Sequence, residues 1–150
     1  MAAPIGPYTP VVRAGDWIIV SGQLGLRDGS LVEGGVKAQT TQAIVNLRAH
    51  LESVGAKLSD VAKTLCFLTD MDTFPTFNES YVAGFGSHRP ARSTIGVASL
   101  PAGGAVEIEA WAYVPVAKLA TKSVATKSTA AKSGAAKPAA TKPVAKRKKK

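Results

Sequence analysis

From residue 118 onward the chain contains eleven basic residues and no acidic residue. Lysine recurs every five positions in a repeat over residues 121–145, and KRKKK follows the repeat. A five-residue period keeps side chains on neither one helix face nor one strand face. The segment also lacks aromatic residues, so it cannot bury enough apolar surface to offset the entropy of ordering. The pattern predicts a disordered basic tail over 118–150 and confines the compact domain to residues 1–117.

Residues 1–117 are mildly acidic, because they hold eight basic and all ten acidic residues of the chain. The formal net charge of +9 therefore belongs to the tail, and so does any affinity for polyanions. The 117 residues suit a single domain with one core. No apolar run approaches eighteen residues, so we expect neither a membrane span nor a signal peptide. The single Cys66 excludes an intramolecular disulfide framework and fits a cytoplasmic setting.

The hydrophobic pattern predicts the order β-β-α-β-α-β-β. Short β-branched runs predict strands at WIIVSG from Trp17, at Leu31 to Glu33 after an Asp28-Gly29 turn, at VAKTLCFLTD, at RSTIGVASL and at VEIEAWAYV. Helical spacing predicts one helix over 36–54, with Gly55 as a left-handed cap. A second helix is predicted with Asp72 or Thr73 as its N-terminal cap and Pro75 in its first turn.

These elements predict an α+β fold in which both helices cover one face of a mixed sheet. The other face of the sheet then lacks a covering layer, and self-association would bury it without any further secondary structure.

Several familiar catalytic and metal-binding motifs are absent from the sequence, among them GxGxxG, HExxH and GxSxG. His50 and His88 lie far apart without acidic or cysteine partners at ligand spacing, so we interpret them as structural. Cys66 lies inside an apolar strand, where an inert thiol is expected.

A dispersed polar set remains near the ends of apolar strands. Each member alone has an ordinary interpretation, such as a surface aromatic, a strand-end hydroxyl or a solvated charge. The set comprises Tyr8 in IGPY, Ser21 in SGQ, Asn78 in FNESY, Arg92 in PARST and Glu107 in VEIEA.

The segments that carry these residues resemble, in order and spacing, the RidA family of reactive-intermediate deaminases, also called the YjgF family. The resemblance covers about Pro4 to Val114 and rests on IIVSGQL, FNESY, HRPARSTIG and VEIEAWA. It implies a fold similar to that of small chorismate mutases. It also implies a homotrimer whose sheets form a central barrel, with three sites in clefts between subunits.

The resemblance implies hydrolysis of 2-imino acids and their enamine tautomers, such as 2-aminoacrylate, to 2-oxo acids and ammonia. Arg92 matches the residue that binds the substrate carboxylate, Glu107 matches the acid that holds the attacking water, and Tyr8 matches a tyrosine that orients the substrate. Ser21 and Asn78 match polar residues of the site. Thr94 stands where some members carry cysteine, and its backbone can still contribute hydrogen bonds. No metal or organic cofactor is implied.

The tail leaves a second function open. Its lysines predict sequence-independent phosphate contacts with DNA or RNA, and hence association with the nucleoid. Ribonuclease activity is a related alternative, and a purely solubilising extension is another.

Overall fold

The structure is a computed structural model and describes residues 6–116. The predicted tail, and the end of the predicted 1–117 domain, lie outside these residues. Seven strands and two α-helices are present in the described part of the chain. In chain order they are β1 (Val11–Ala14), β2 (Trp17–Leu24), β3 (Leu26–Arg27), β4 (Ser30–Leu31), α1 (Gly35–Ser53), β5 (Val61–Leu68), α2 (Phe74–Phe85), β6 (Ala91–Gly96) and β7 (Val106–Tyr113).

Five strands form a mixed sheet in the order β1-β2-β7-β5-β6, and β3 and β4 form a separate hairpin. All pairs in the main sheet are antiparallel except β5 and β6, which run parallel. Both helices pack on one face, where the core includes Ile18, Leu47, Phe77 and Ile108, each at most 1% exposed. The predicted α+β fold is thus confirmed.

Both helix predictions are accurate to one or two residues. Gly55 follows α1 with a φ of 80°, and the amides of Gly55 and Ala56 donate to the carbonyls of Glu52 and Leu51. This pairing is the Schellman arrangement that a glycine after a helix favours. Thr73 precedes α2, and Pro75 lies in its first turn as expected.

The strand predictions need three corrections. The strand β1 was not predicted, because its four residues gain their pairing only from β2. The second predicted strand is shorter and lies at Ser30–Leu31, since its partner β3 has only two residues and a turn at Asp28-Gly29 joins them. The strand predicted from Arg92 begins at Ala91 and ends at Gly96, opposite Leu68, where its neighbour β5 also ends.

The sheet face away from the helices is uncovered in the single chain. Trp17, Ile19 and Ile95 lie on it and are 44%, 38% and 46% exposed. Trp17 and Ile19 alternate along β2 with the buried Ile18 and Val20, and Ile95 pairs with Phe67, which lies between the buried Cys66 and Leu68 on β5. We call this surface the open face.

Candidate active site

Arg92 lies on the helix-covered face at the edge strand β6. Its Nη2 donates to Asn78 Oδ1 at 2.7 Å. Its guanidinium carbon also stands 5.6, 5.3 and 4.7 Å from the ring centres of Phe74, Phe77 and Tyr81. Ring faces at these distances attract a cation. We call this group of five residues the arginine pocket.

The arginine pocket results from the pairing of β5 with β6 and the packing of α2 above them. Arg92 pairs with Thr64 of β5, and the Thr64 hydroxyl is 2.7 Å from the Tyr81 hydroxyl. Burial raises the pKa of Tyr81 to about 12, so its ring stays neutral. The pocket's partners for Arg92 are therefore an amide oxygen and three uncharged rings, and they leave its positive charge uncompensated.

Thr94 lies two residues after Arg92 on the same face, and its Oγ1 is buried. Cys66 pairs with Thr94 across the strands and is fully buried. Burial raises the pKa of the Cys66 thiol to about 11, so it stays protonated at neutral pH. The interpretation of Cys66 as a buried, inert thiol is consistent with this placement.

Glu107 lies on the open face, near the start of β7. It pairs with Leu24 of β2 and Phe67 of β5. Burial, and to a lesser degree the neighbouring Glu109 carboxylate, raises the pKa of Glu107 above its usual range. A carboxyl group in this environment takes up a proton more readily than one in water.

Gly22 makes room for the Glu107 side chain. A Cβ atom on Gly22 would stand 2.6 Å from Glu107 Cδ and 2.9 Å from Cγ. The register between β2 and β7 shifts between Val20 and Gln23, so Gly22 lies in a bulge. The bulge brings a backbone without a side chain against the carboxylate. We did not single out Gly22 from the sequence, although its place in the SGQ segment was a usable signal.

Ser21 connects this region to the segment that carries Tyr8. The Ser21 hydroxyl donates to the carbonyl of Thr9 at 2.8 Å, and its amide donates to the carbonyl of Pro10 at 2.9 Å. Tyr8 directly precedes Thr9 and is 43% exposed. We use the name glutamate cleft for Glu107 and Gly22, which lie against each other, together with Ser21 on the same strand as Gly22 and Tyr8 in the segment that Ser21 binds.

The arginine pocket and the glutamate cleft of one chain do not meet. Arg92 is in register with Thr64, whereas Glu107 is in register with Phe67, three residues further along β5. Because side chains alternate along a strand, an odd separation puts Arg92 and Glu107 on opposite faces of the sheet. The two regions are also separated by about 10 Å along the strands and by two strand spacings.

A polar network on α1 fixes the backbone near Glu107 and was missed from the sequence. Asn46 Nδ2 donates to the carbonyls of Leu24 and Leu26 at 3.0 and 2.9 Å. Gln39 Oε1 accepts a 2.8 Å hydrogen bond from the amide of Ala105. Gln42 belongs to the same network, because it is 7% exposed and its Oε1 accepts from Arg27.

No group of three His, Cys, Asp or Glu side chains among residues 6–116 is arranged to hold a metal ion. Nor does this part of the chain contain a helix long and apolar enough to cross a membrane.

Comparison with known proteins gives consistent matches to the described fold. A family model described as Endoribonuclease L-PSP matches residues 1–114. A mouse protein named 2-iminobutanoate/2-iminopropanoate deaminase is 45% identical over 110 residues, which cover 72% of this chain and 82% of the mouse protein. A RutC family protein of Pyrococcus horikoshii is 41% identical over 112 residues, covering 73% and 89% of the two chains.

Solved structures agree in fold. RidA from a Psychrobacter species superposes with a TM-score of 0.72 at 41% identity, covering 75% of this chain and 92% of its own. TdcF of E. coli, solved with bound serine, has a TM-score of 0.70 at 34% identity, covering 73% and 90%.

Proposed function

The chain belongs to the endoribonuclease L-PSP family, also called the RidA or YjgF family. On this premise, we propose that it hydrolyses 2-imino acids and their enamine tautomers to 2-oxo acids and ammonia. The observation that carries the proposal is the guanidinium of Arg92, whose partners in the arginine pocket are all neutral groups. Support also comes from the relatives of mouse, human and Dermatophagoides farinae that are named 2-iminobutanoate/2-iminopropanoate deaminase.

Arg92 binds the substrate carboxylate. A planar guanidinium offers two parallel N–H donors to two carboxylate oxygens, which fixes both position and orientation. Asn78 occupies one N–H and the rings lie against the guanidinium, so the side chain is held before substrate arrives. Thr94, two residues further on the same face, contributes a further polar group to this subsite.

Glu107 activates the water. With the imine nitrogen protonated, the Glu107 carboxylate takes a proton from water as the water oxygen bonds to the imine carbon and the C=N electron pair moves to nitrogen, which gives a neutral carbinolamine. The Glu107 carboxyl then returns this proton to nitrogen. The C–N bond breaks to release ammonia, the hydroxyl oxygen becomes the carbonyl of the 2-oxo acid, and the hydroxyl proton passes to the Glu107 carboxylate and from there to ammonia or solvent. The pKa of Glu107, raised mainly by burial, suits both the acceptance and the return of the proton.

Tyr8 and Ser21 shape the glutamate cleft. Ser21 binds the carbonyl of Thr9 and so fixes the segment of Tyr8. The side chain of Tyr8, which is 43% exposed, then orients the substrate through its hydroxyl. The imine carbon is already electrophilic, so positioning and proton transfer suffice and no cofactor enters the proposal.

The two halves of the site come from two subunits of a homotrimer. Within one chain Arg92 and Glu107 lie on opposite sheet faces, so they can act on one small substrate only across a subunit boundary. The exposed apolar side chains of the open face and the edge of β6 supply the surfaces for such an assembly. We also expect a cytoplasmic setting, where dehydratases release imino acids.

Ribonuclease activity, the alternative that the family's description suggests, is less well supported. The mildly acidic domain repels a polyanion. The Nε2 atom of His88 is hydrogen-bonded to the carbonyl of Val61 at 2.7 Å. Burial lowers the pKa of His50.

The test is a coupled assay in which a serine or threonine dehydratase generates 2-aminoacrylate or 2-aminocrotonate. The purified chain should accelerate formation of the 2-oxo acid and ammonia above the spontaneous rate. Equal rates with and without the chain would contradict the proposed function.

A further inference from the structure

Two buried hydroxyl groups meet beside Arg92. The hydroxyl oxygens of Thr64 and Tyr81 are 2.7 Å apart, and the two residues are 0% and 4% exposed. The Cys66 thiol, whose Sγ is 3.9 Å from Thr64 Oγ1, is a much weaker partner for Thr64. Each hydroxyl therefore depends on the other for its strong hydrogen bond, and the loss of one leaves the other poorly satisfied in the core.

This hydroxyl pair fixes the position of the Tyr81 ring. The ring stacks on Phe85, with centroids 4.6 Å apart and planes at 28°, and it packs against Phe77 at 5.6 Å. Contacts between ring faces restrain the tilt of an aromatic side chain but tolerate sliding. The hydrogen bond to Thr64 acts at the far end of the ring and removes this freedom.

The Tyr81 ring is the nearest of the three rings to the Arg92 guanidinium. Its centre is 4.7 Å from the guanidinium carbon, compared with 5.3 Å for Phe77 and 5.6 Å for Phe74. Burial raises the pKa of Tyr81 to about 12, so the ring attracts the cation through its face and not as a phenolate. Asn78 accepts a hydrogen bond from Nη2 alone, so the rings determine how the rest of the guanidinium is tilted.

Thr64 acts on Arg92 in two ways. Its backbone is in register with Arg92 where β5 pairs with β6, and its hydroxyl holds the ring that attracts the guanidinium. Because Thr64 lies on the sheet and Tyr81 on α2, the same hydrogen bond sets how the helix sits above Arg92. Removal of either hydroxyl would change the orientation of the guanidinium and leave its charge intact.

We propose that Thr64 and Tyr81 are positioning residues that orient the Arg92 guanidinium toward a planar carboxylate next to the imine carbon. The proposal rests on the proposed function, because it assumes that Arg92 binds this carboxylate. It adds that the affinity for a 2-imino acid depends on a buried hydroxyl pair that acts through Arg92 and does not touch the substrate.

The test variants are Thr64→Val and Tyr81→Phe, which each remove one hydroxyl and nearly keep the shape of the side chain. The readouts are kcat/KM in the coupled assay and the Kd of the product 2-oxobutanoate by calorimetry. We expect kcat/KM to fall and Kd to rise about tenfold, because the bidentate geometry is lost. The double variant should be no worse than the worse single one, since the two hydroxyls make one bond.

Two further variants control the chemical change. Thr64→Ser restores a hydroxyl and should recover most of the lost affinity. Thr41→Val makes the same threonine-to-valine change at an exposed position of α1, where the hydroxyl binds the carbonyl of Lys37, and it should leave both readouts unchanged.

The Arg92→Lys background separates positioning from a general effect on the fold. A lysine has no planar fork to orient, so adding Tyr81→Phe to Arg92→Lys should change kcat/KM by less than about twofold. The decrease in melting temperature caused by Tyr81→Phe should be the same in both backgrounds. An equal loss of kcat/KM in both backgrounds overturns the proposal, because the hydroxyl pair then acts on the fold and not through Arg92.

Unchanged kcat/KM and Kd in Thr64→Val and Tyr81→Phe also overturn it. Absence of deaminase activity in the parent chain contradicts the proposed function instead, and the Kd of 2-oxobutanoate then decides the positioning role. Tighter binding by the parent than by both single variants supports that role, whereas equal binding, or no binding by the parent, overturns it.

Discussion

The carboxylate of Glu107 occupies the space that any side chain on Gly22 would fill. The two residues belong to neighbouring strands, and the bulge in β2 brings the glycine backbone against the acid. The catalytic position of Glu107 in the proposed mechanism therefore depends on the absence of a side chain at Gly22.

Gly22→Ala should displace the Glu107 carboxylate and lower kcat/KM by about 100-fold, since small misplacements of a catalytic group have effects of this size. Gly96→Ala is the matched control, because its added methyl group would meet only the flexible side chain of Met71, at 3.0 Å. Steady-state kinetics of both variants check this. Similar activity in the two variants would mean that the contact between Gly22 and Glu107 does not position the acid.

Arg92→Ala should lower kcat/KM by about 100- to 1,000-fold, because a substrate carboxylate would lose its charged, bidentate partner. Arg92→Lys should recover only part of this loss, since an ammonium keeps the charge and not the planar fork. Arg48→Ala, at an exposed position of α1, removes the same charge away from the site and should keep full activity. Equal activity of Arg92→Ala and Arg48→Ala contradicts the role of Arg92.

Glu107→Gln should lower kcat by about 100- to 10,000-fold, the usual range for loss of a general acid and base. Wild-type activity should fall as pH decreases through the raised pKa of Glu107, because the carboxylate must be ionised to accept the proton. Glu109→Gln is the control on the same strand and face, and it should retain activity, with the fall in activity moved to lower pH because a neighbouring carboxylate is removed. If Glu107→Gln shows the same pH profile as the wild type, Glu107 is not the general acid and base.

Glu107→Gln should lower activity but raise the stability of the fold at neutral pH. The folded-state pKa of Glu107 lies above its unfolded value, so wild-type stability is highest below the unfolded pKa and decreases as pH rises through the folded one. Glu107→Gln should therefore match the wild type in acid and exceed it in free energy of unfolding at neutral pH. Urea titrations at several pH values measure this difference.

Ile19→Glu should dissociate the proposed trimer and abolish activity, because it puts a charge among the exposed apolar side chains of the open face. Val82→Glu is the matched control, because Val82 and Ile19 are similarly exposed, at 43% and 38%. Val82 lies on α2, whereas Ile19 lies on the sheet face away from the helices. Analytical ultracentrifugation should show monomers for the first variant and trimers for the second. A trimeric Ile19→Glu protein contradicts the proposed use of the open face.

Local patterns predicted the helices and the layer arrangement well. Gly55 and Pro75 mark the ends of α1 and α2 through backbone preferences that act within a few residues. Pairing between distant strands was harder to predict. The strand β1 exists only through β2, and the buried role of Gln42 depends on Arg27, fifteen residues earlier.

The division of the site between two sheet faces could not be derived from the sequence. It depends on the register of β5 with both β6 and β7, and a shift by one residue would bring Arg92 and Glu107 to the same face. The resemblance supplied the residues Arg92 and Glu107, and the register shows that one chain cannot bring them together.

The most direct test of this account mixes two inactive proteins. Arg92→Ala and Glu107→Gln subunits, carrying different affinity tags, are co-expressed, and hybrid trimers are isolated on both tags in turn. Every hybrid then has one boundary at which an intact Arg92 faces an intact Glu107, so it should show about one third of wild-type activity. Hybrids no more active than the parent variants would contradict a site shared between subunits.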